Sequence, residues 1–455
     1  MAESPPTAAG RRALPDARAI LRLGLPLLVA NLAVAGMSLA DTLMSGQLGA
    51  GALAAVAVGS SYYGVFMVVG LGTMTALSPL VAHAYGGGHG ALIGAYARQG
   101  GWIGLALALL LVLGLSAVKP LLTLIGTDPA VVPDSVGYVY AVAAGIPGLL
   151  GFQALRAVSE GLGRTRPMMT IALAGLATNI VGNWVFMYGK FGLPALGAVG
   201  TGVATAIVQW LMFAMMLAHV LRHRAYRPYG IFARFERPDS ARIREILRLG
   251  VPIGGSMVAE SALFSAAGLM MSTLGATIVA AHQIALNYAA FMFMAPVSLH
   301  SATTIHVGHA LGRGDRAGAR RAGFVGIGLC ALLMLASALL LAVANEQIAA
   351  LYTQDGAVRA VAASLLLLAA VFQVSDGLQV GAMGALRGFK DARWPLVITI
   401  GAYWLVGFPL AFYGGIVQGG GPAGVWWGLI AGLSVSAALL TLRYAFVSRR
   451  LAAGA

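Results

Sequence analysis

Long apolar runs of some 20–30 residues recur through the 455-residue chain and are separated by short polar breaks. We count twelve such runs, and each is long enough for a helix that crosses a hydrocarbon core about 30 Å thick. The strands of a membrane barrel would be about ten residues long and would alternate in polarity, which these runs do not do. Only 10% of the residues are charged, against about 25% in soluble domains. The sequence therefore predicts an all-helical, multi-pass membrane protein.

The chain contains two copies of one pattern. The string LRLGLP from Leu21 returns as LRLGVP from Leu247, and LMSGQLGAGALAA from Leu43 aligns without a gap with LMMSTLGATIVAA from Leu269. Both pairs have the same offset of 226 residues. Each copy holds six of the twelve predicted helices, so the two copies cross the membrane in the same sense and are parallel repeats.

These repeats predict two six-helix lobes, an N-lobe over 20–221 and a C-lobe over 246–447, joined by a cytoplasmic linker over 222–245. A disordered tail over 1–19 and a cytoplasmic tail over 448–455 complete the chain. The predicted helices cover residues 20–46, 53–82, 92–118, 135–157, 168–189, 197–221, 246–272, 277–306, 319–344, 357–385, 395–415 and 422–447.

The basic residues are distributed unevenly between the two sides of this predicted topology. If both termini are cytoplasmic, 26 of the 29 Lys and Arg residues fall in the seven inner segments, eight of them between Arg222 and Arg248. The exceptions are Lys119, Lys190 and Arg359. This distribution follows the positive-inside rule and predicts both termini in the cytoplasm. The net charge of +14 therefore faces anionic lipid, and we expect no nucleic-acid partner.

Three of the fifteen acidic residues lie inside predicted helices: Asp41 in helix 1, Glu260 in helix 7 and Asp376 in helix 10. A charged side chain at bilayer depth costs about 2.5–3.5 kcal/mol on insertion scales, so such a residue usually has a function or a partner. No Lys or Arg is predicted at the same depth, which leaves protons, metal cations or a cationic substrate as counter-charges. The alternative is a neutral acid that hydrogen-bonds to backbone. We expect Glu260 and Asp376 to share one cavity.

Other polar residues in the apolar runs are weaker candidates. Asn179 and Asn183 are four residues apart and share one helix face, where they either bind a ligand or join helices by hydrogen bonds. His282 and Gln283 follow a short outer turn, which predicts a solvated position or a place at the outer mouth. Tyr288 lies deeper, where it could hydrogen-bond to a carboxylate or present its ring to a cation.

Five stretches make the chain resemble the NorM type of the multidrug and toxin extrusion (MATE) family along nearly its whole length. They are LADTLMSGQLG (39–49), RAVSEGLGRTRP (156–167), AAHQIALNYAAFMFMAPVS (280–298), HVGHALG (306–312) and LRGFKDARWP (386–395). The resemblance implies a central cavity and the export of cationic or amphipathic drugs in exchange for inward sodium or protons. It also implies that Glu260 and Asp376 bind the coupling cation, with Na⁺ as the metal, and that Asp41, Asn179 and Asn183 handle cation or drug. At Tyr288 the family more often has another aromatic residue.

The resulting hypothesis is a multidrug efflux antiporter of the cytoplasmic (inner) membrane, without enzymatic activity and without a cofactor. We expect it to act as a monomer among membrane lipids. Two alternatives remain. A lipid or polysaccharide flippase of the same superfamily would need a basic cavity for phosphate-bearing cargo. An intramembrane enzyme is suggested only by the string GRGD from Gly312, which matches the GxGD of intramembrane aspartyl proteases but lies in an Arg-rich loop.

Overall fold

The computed structural model describes the backbone of residues 8–452 and the side chains of residues 13–451; within that range the regular structure is helical, with no strand. Its α-helices are α1 (Ala8–Gln47), α2 (Ala50–Met74), α3 (Leu77–Gly86), α4 (Gly90–Ser116), α5 (Val118–Leu124), α6 (Val132–Ala143), α7 (Ile146–Gly161), α8 (Arg166–Tyr188), α9 (Gly197–Arg222), α10 (Ser240–Ser272), α11 (Ala276–Gly312), α12 (Arg316–Tyr352), α13 (Gly356–Gly388), α14 (Arg393–Ile400), α15 (Phe408–Phe412) and α16 (Gly421–Ala452). A 3₁₀ turn covers Arg224–Tyr229, and π-helical turns at Gly401–Gly407 and Tyr413–Val417 flank α15.

The prediction of an all-helical, multi-pass membrane protein is confirmed. Among the described residues, eleven helical segments are long and apolar enough to cross a membrane, and the bent pair α6 and α7 makes a twelfth span. The prediction of a disordered tail over 1–19 is wrong for residues 8–19, because α1 begins at Ala8; residues 1–7 lie outside the described range. Residues 240–245 of the predicted linker belong to α10, and α16 continues to Ala452.

The offset of 226 residues between the two sequence copies returns in the helix boundaries. Helix α2 begins at Ala50 and α11 at Ala276, while α3 ends at Gly86 and α11 at Gly312. The residues before α2 and α11 are the equivalent glycines Gly49 and Gly275, with φ of 114° and 109°. Side chains other than hydrogen rarely adopt these angles, so the same sharp turn requires glycine in both copies.

Two spans of the first copy are broken where the second copy is continuous. The α2–α3 span is interrupted between Met74 and Leu77, and the α6–α7 span bends by 43° between Ala143 and Ile146. Each break frees backbone groups that the membrane interior cannot hydrate, so they need partners within the protein. At the second break the indole of Trp210 donates a hydrogen bond to the Ala144 carbonyl over 2.9 Å.

By their internal contacts the residues form two compact units. One unit is Pro26–Gly254, and the other combines the residues before Pro26 with those from Gly255 onward. Helices α1 and α10 therefore each begin in one unit and end in the other. The lobe boundaries drawn from the sequence, at 20–221 and 246–447, remain a prediction.

In each unit one helix packs against three others. In the unit that starts at Gly255, α13 packs against α11, α12 and α16 and carries Asp376. In the unit Pro26–Gly254, α9 packs against α6, α7 and α8. Acidic residues outside the spans cap helix starts: Asp315 accepts from the Gly318 N–H over 2.7 Å, and Asp355 accepts from the Ala357 N–H over 2.8 Å.

Candidate functional site

The first candidate cluster lies in the unit Pro26–Gly254 and is centred on Asp41 of α1. The Asn179 and Asn183 amides of α8 both donate to its Oδ1, over 3.0 Å and 2.6 Å. Their spacing of four residues places both amides on one face of α8, as the sequence predicts. Both asparagines are almost fully buried, whereas Asp41 remains partly accessible. The structure therefore brings together the three residues that the sequence nominated in this half.

Further polar groups surround this carboxylate. Thr205 of α9 and Tyr138 of α6 lie close enough to Asp41 to interact with it electrostatically. Tyr63 of α2 accepts a hydrogen bond from the Gln209 amide over 2.9 Å. Helices from most of the unit thus contribute to one polar patch within apolar spans. A carboxylate held by amide donors in such a place can bind a proton, a metal cation or an organic ammonium group.

The second candidate cluster lies in the other unit and contains Glu260 of α10 and Asp376 of α13. The two side chains interact electrostatically, as expected for acids that share a cavity. Tyr403, fully buried in the π-helical turn Gly401–Gly407, presents its hydroxyl to Glu260 and accepts a hydrogen bond from the Gln379 amide. Turns of this π type recur at functional sites, where they reposition single side chains.

The same cluster contains a basic residue that the sequence-based topology placed outside the membrane. Arg387, in the last turn of α13, interacts electrostatically with Glu260. The prediction that no Lys or Arg accompanies the membrane acids is therefore wrong for Glu260. Helix α13 continues to Gly388, three residues beyond its predicted end, and so carries Arg387 within the span. With both carboxylates ionised, the cluster has one negative charge in excess of its guanidinium charge.

Two further oxygen or nitrogen groups line this region. Gln379 is fully buried, and its Oε1 has no hydrogen-bond partner among the described residues. Gln373, one turn before Asp376 on α13, is also buried, and neither end of its amide is paired within the described part of the chain. Buried polar atoms without protein partners normally bind water or an ion. Carboxylate, amide and hydroxyl oxygens are ligands suited to a hard cation.

Two of the weaker candidates on α11, His282 and Tyr288, contact residues other than the carboxylates. Gln283 is exposed, while His282 is fully buried and packs edge-on against Trp426 with ring centroids 5.8 Å apart. The prediction of a solvated His282 is therefore wrong. The Tyr288 hydroxyl is 3.2 Å from Ser337 Oγ of α12, so in this conformation it pairs with a hydroxyl and not with a carboxylate.

The residues that sequence reasoning missed are Tyr403, Gln379 and Arg387. A signal existed for two of them, since Asp376, Gln379, Met383 and Arg387 follow at steps of three and four residues and so share one face of α13. No comparable signal existed for Tyr403, because an aromatic residue in an apolar run is unremarkable. Its role depends on the π-helical turn, which apolar periodicity does not predict.

Fold and clusters together define a polytopic helical membrane protein with paired ionisable residues inside its spans, an arrangement typical of ion-coupled transporters. Residues 26–185 and 252–413 match the model of the MatE family, so the two matched segments begin 226 residues apart. The chain belongs to the MatE family.

Relatives and solved structures agree with this assignment. The chain is 40% identical over 436 residues to multidrug resistance protein NorM of Photobacterium profundum, covering 95% of this chain and 96% of that protein. It is also 40% identical over 440 residues to multidrug resistance protein MdtK of Yersinia pseudotuberculosis, covering 96% of both. The crystal structure of the eukaryotic MATE transporter AtDTX14 superimposes with a TM-score of 0.88 at 20% identity, covering 97% of this chain and 99% of that chain. A crystal structure of MATE in the bent conformation gives a TM-score of 0.87 at 21% identity, covering 99% of both. At these identities the structures show the fold alone.

Proposed function

We propose that the protein is a secondary active antiporter of the cytoplasmic (inner) membrane that exports cationic or amphipathic organic compounds in exchange for inward Na⁺ or H⁺. Two relatives that are 40% identical over nearly the whole chain carry the name multidrug resistance protein, which supports this substrate class. The single chain is the transporting unit, it has no enzymatic activity, and it needs no cofactor besides the coupling cation.

The observation that carries the proposal is the charge balance around Glu260. Glu260 interacts with the carboxylate of Asp376 and with the guanidinium of Arg387, and the imbalance of one negative charge among the three groups matches the uptake of one monovalent cation. A proton neutralises one carboxylate, and Na⁺ would bind between oxygens of Glu260, Asp376 and the Tyr403 hydroxyl. Either cation entering from outside draws on the membrane potential, which supplies about 2.3 kcal/mol per charge per 100 mV.

Drug export is coupled to cation entry if cation uptake changes the relative stability of the inward-open and outward-open conformations. A cation shifts a conformational equilibrium only by its difference in affinity for the two states. Glu260 lies on α10, a helix that begins in one compact unit and ends in the other. We therefore assign Glu260 and Asp376 to cation coupling, and Asp41 with Asn179 and Asn183 to a second cation or drug site. Gln283 and Tyr288 are secondary candidates for drug contact.

The charge balance argues against a flippase, and the position of Asp315 argues against an intramembrane protease. A flippase for phosphate-bearing cargo needs a net basic cavity, whereas the cluster around Glu260 holds two acids and one guanidinium. The intramembrane protease hypothesis requires Asp315 of the GRGD string to lie at bilayer depth. Instead Asp315 caps the start of α12, where its carboxylate accepts the Gly318 N–H, and this explains why an acid follows the glycines there.

The test is transport of a fluorescent organic cation by the purified protein in vesicles under an imposed sodium gradient or pH gradient. We expect efflux to follow one of the gradients and to stop in Glu260→Gln, which keeps the size of the side chain and removes its charge. Glu346→Gln is the matched control, since Glu346 is exposed at the far end of α12, and it should transport like the wild type. Undiminished coupled efflux in Glu260→Gln would remove Glu260 from the coupling site, and efflux that ignores both gradients would contradict the antiporter.

A further inference from the structure

A groove of about 650 Å³ opens on the unit Pro26–Gly254, and its lining residues are distinct from the polar residues around Asp41. Its walls are helices α4, α7 and α9, and the linker segment that follows α9 closes one end. Most of the lining is apolar, and the side chains that carry the argument are Arg98, Trp102, Trp210, Phe232, Arg234 and Phe235.

The groove exists because the facing helices carry small residues there. Gly101 and Gly104 of α4 and Gly151 and Ala154 of α7 line it. A methyl group added at Gly101 would meet no heavy atom of the described residues within 4 Å, so this position looks into open space. Leu105 and Trp210 on the walls are about half exposed, although both belong to apolar membrane-spanning helices. In a membrane such space is filled by lipid chains.

The linker end of the groove is aromatic and charged. Trp102 donates a hydrogen bond to the Glu236 carbonyl over 2.9 Å and packs edge-on against Phe235. Phe232 and Phe235 are exposed although they lie in the most basic segment of the chain. Exposed aromatic residues beside Arg residues are typical of segments that lie at the membrane–water interface.

The charged residues at this end leave one guanidinium available. Arg98 is nearly buried and is engaged by the Glu236 carboxylate at 2.6 Å and by the Gly230 carbonyl at 2.7 Å. Arg234 lies 3.7 Å from the same carboxylate, but its side chain is 72% exposed. Two guanidiniums against one carboxylate leave one positive charge, and Arg234 is the group that can present it to a ligand at the mouth of the groove.

The apolar lining continues along α4 in the direction away from the charged end of the groove. A second cavity of about 390 Å³ is lined by Val112, Leu115 and Ser116 of α4 and shares Pro147 of α7 with the groove. From Ala97 to Ser116 the helix rises about 28 Å at 1.5 Å per residue. The hydrocarbon core, about 30 Å thick, holds two leaflets, so this length exceeds the depth that an acyl chain of one leaflet occupies.

We propose that this groove is a binding site for one anionic phospholipid, whose phosphate pairs with Arg234 at the linker end and whose acyl chain lies along α4 and α7. A guanidinium binds phosphate through paired N–H donors, and the small residues around Gly101 admit the chain. The lipid would occupy the inner leaflet, because the basic linker is predicted to be cytoplasmic. The site is independent of the transport proposal, since its residues are distinct from the Asp41 and Glu260 clusters.

The test is native mass spectrometry of the purified full chain after incubation with dioleoyl phosphatidylglycerol or dioleoyl phosphatidylcholine. We expect the wild type to retain phosphatidylglycerol in preference to phosphatidylcholine. Arg234→Gln should lose that preference at least about tenfold, equivalent to about 1.4 kcal/mol. Gly101→Leu, which fills the groove, should retain neither lipid at this site.

Two matched variants separate the groove from general lipid adsorption. Arg227→Gln removes an exposed arginine of the same linker outside the groove, and Gly328→Leu adds the same side chain to an exposed glycine of α12. Both should bind phosphatidylglycerol like the wild type. Equal retention of the two lipids by the wild type, or wild-type binding by both Arg234→Gln and Gly101→Leu, overturns the proposal.

Discussion

At the scale of single residues, the charge of Asp41 can be removed while its hydrogen bonds are kept. Both amides of α8 donate to the same oxygen, Oδ1, so an asparagine at position 41 could keep an acceptor in the same place. We predict that Asp41→Asn unfolds within about 2 °C of the wild type, because the hydrogen bonds survive. Its cation-driven efflux should fall at least about tenfold, because the binding charge is lost.

Thermal unfolding in detergent and vesicle transport, run on the same preparation, check this prediction. Asp128→Asn is the control, since Asp128 lies in an exposed turn between α5 and α6. Wild-type transport in Asp41→Asn would remove Asp41 from the mechanism. A large fall in the unfolding temperature would assign Asp41 a structural role instead.

At the residue scale, the sequence drew attention to residues that are out of place in their surroundings. Asp41, Glu260 and Asp376 are conspicuous because acids are rare in apolar runs, and the structure places each of them in a polar cluster. Arg387 was missed because basic residues near a predicted helix end are normally assigned to the loop. Helix α13 ends three residues later than predicted, a difference that composition does not resolve, and Arg387 therefore lies within the span.

At the scale of elements, the packing of α16 against its neighbour depends on a row of glycines. Gly424, Gly428 and Gly432 recur every four residues on one face of α16. A methyl group at Gly428 would lie 2.2 Å from the Ala411 backbone nitrogen, and one at Gly424 would lie 2.4 Å from the Gly414 carbonyl oxygen. Backbone therefore packs on backbone, as in small-residue interfaces between membrane helices.

We predict that Gly428→Ala destabilises the protein by about 1–3 kcal/mol, the usual cost of overpacking, because no flexible side chain can move aside. Gly328→Ala is the matched control: its methyl group meets only open space around the described residues, and alanine favours the helix. Thermal unfolding of both variants measures the difference. Equal unfolding temperatures would show that the backbones of α15 and α16 separate at little cost.

The linker is fixed to α4 by an ion pair that should respond to pH. The hydrogen bond from Arg98 is the main cause that lowers the pKa of Glu236 below its usual value, with Arg98, Arg234 and Arg242 adding charge attraction. A lowered carboxyl pKa means that the stabilising contribution is fully present above the unfolded-state pKa, about 4.3. It is lost as the pH falls through the lower, folded-state pKa.

We therefore predict that wild type is more stable than Glu236→Gln at pH 7 and that this difference disappears as the pH falls below about 4. Chemical unfolding of both proteins, followed by tryptophan fluorescence, measures it across this range. Glu346→Gln should show no such convergence, since Glu346 lies exposed on α12. A gap that persists unchanged at low pH would show that Glu236 acts through packing and not through charge.

The element boundaries show why sequence predicts spans better than their interruptions. Helix starts at Ala50, Ala276 and Gly421 lie within three residues of their predicted positions, because long apolar runs mark spans clearly. The breaks at Thr75–Ala76 and Ala144–Gly145 have no such mark, since apolar composition continues through them. The second break has a partner distant in sequence, the Trp210 indole, which satisfies the Ala144 carbonyl.

At the scale of the whole molecule, the two copies have kept their scaffold and diverged in their chemistry. The turn glycines Gly49 and Gly275 are equivalent in the two copies. In the same alignment, Val34 corresponds to Glu260 and Ala267 corresponds to Asp41. Duplication thus supplied two similar sets of helices, and a different cluster of acids arose in each. The sequence did not predict that the compact units divide within α1 and α10, because the repeat pattern places the boundary at the linker.

The remaining whole-molecule question is orientation, which the positive-inside rule predicts with both termini in the cytoplasm. Cys330 is the sole cysteine of the sequence and is buried, so a Cys330→Ala background allows single cysteines to be placed at will. Arg224 in the linker and Asp128 between α5 and α6 are both exposed and lie on opposite predicted sides.

We predict that a membrane-impermeant maleimide labels Asp128→Cys in intact cells but labels Arg224→Cys only after the cells are permeabilised. The physical reason is that 26 of the 29 basic residues would otherwise have to be moved across the membrane and away from the anionic inner surface. Labelling after permeabilisation controls for accessibility at both sites. The reverse pattern would place the basic linker outside, and the inner-leaflet lipid at Arg234 would then have to belong to the outer leaflet.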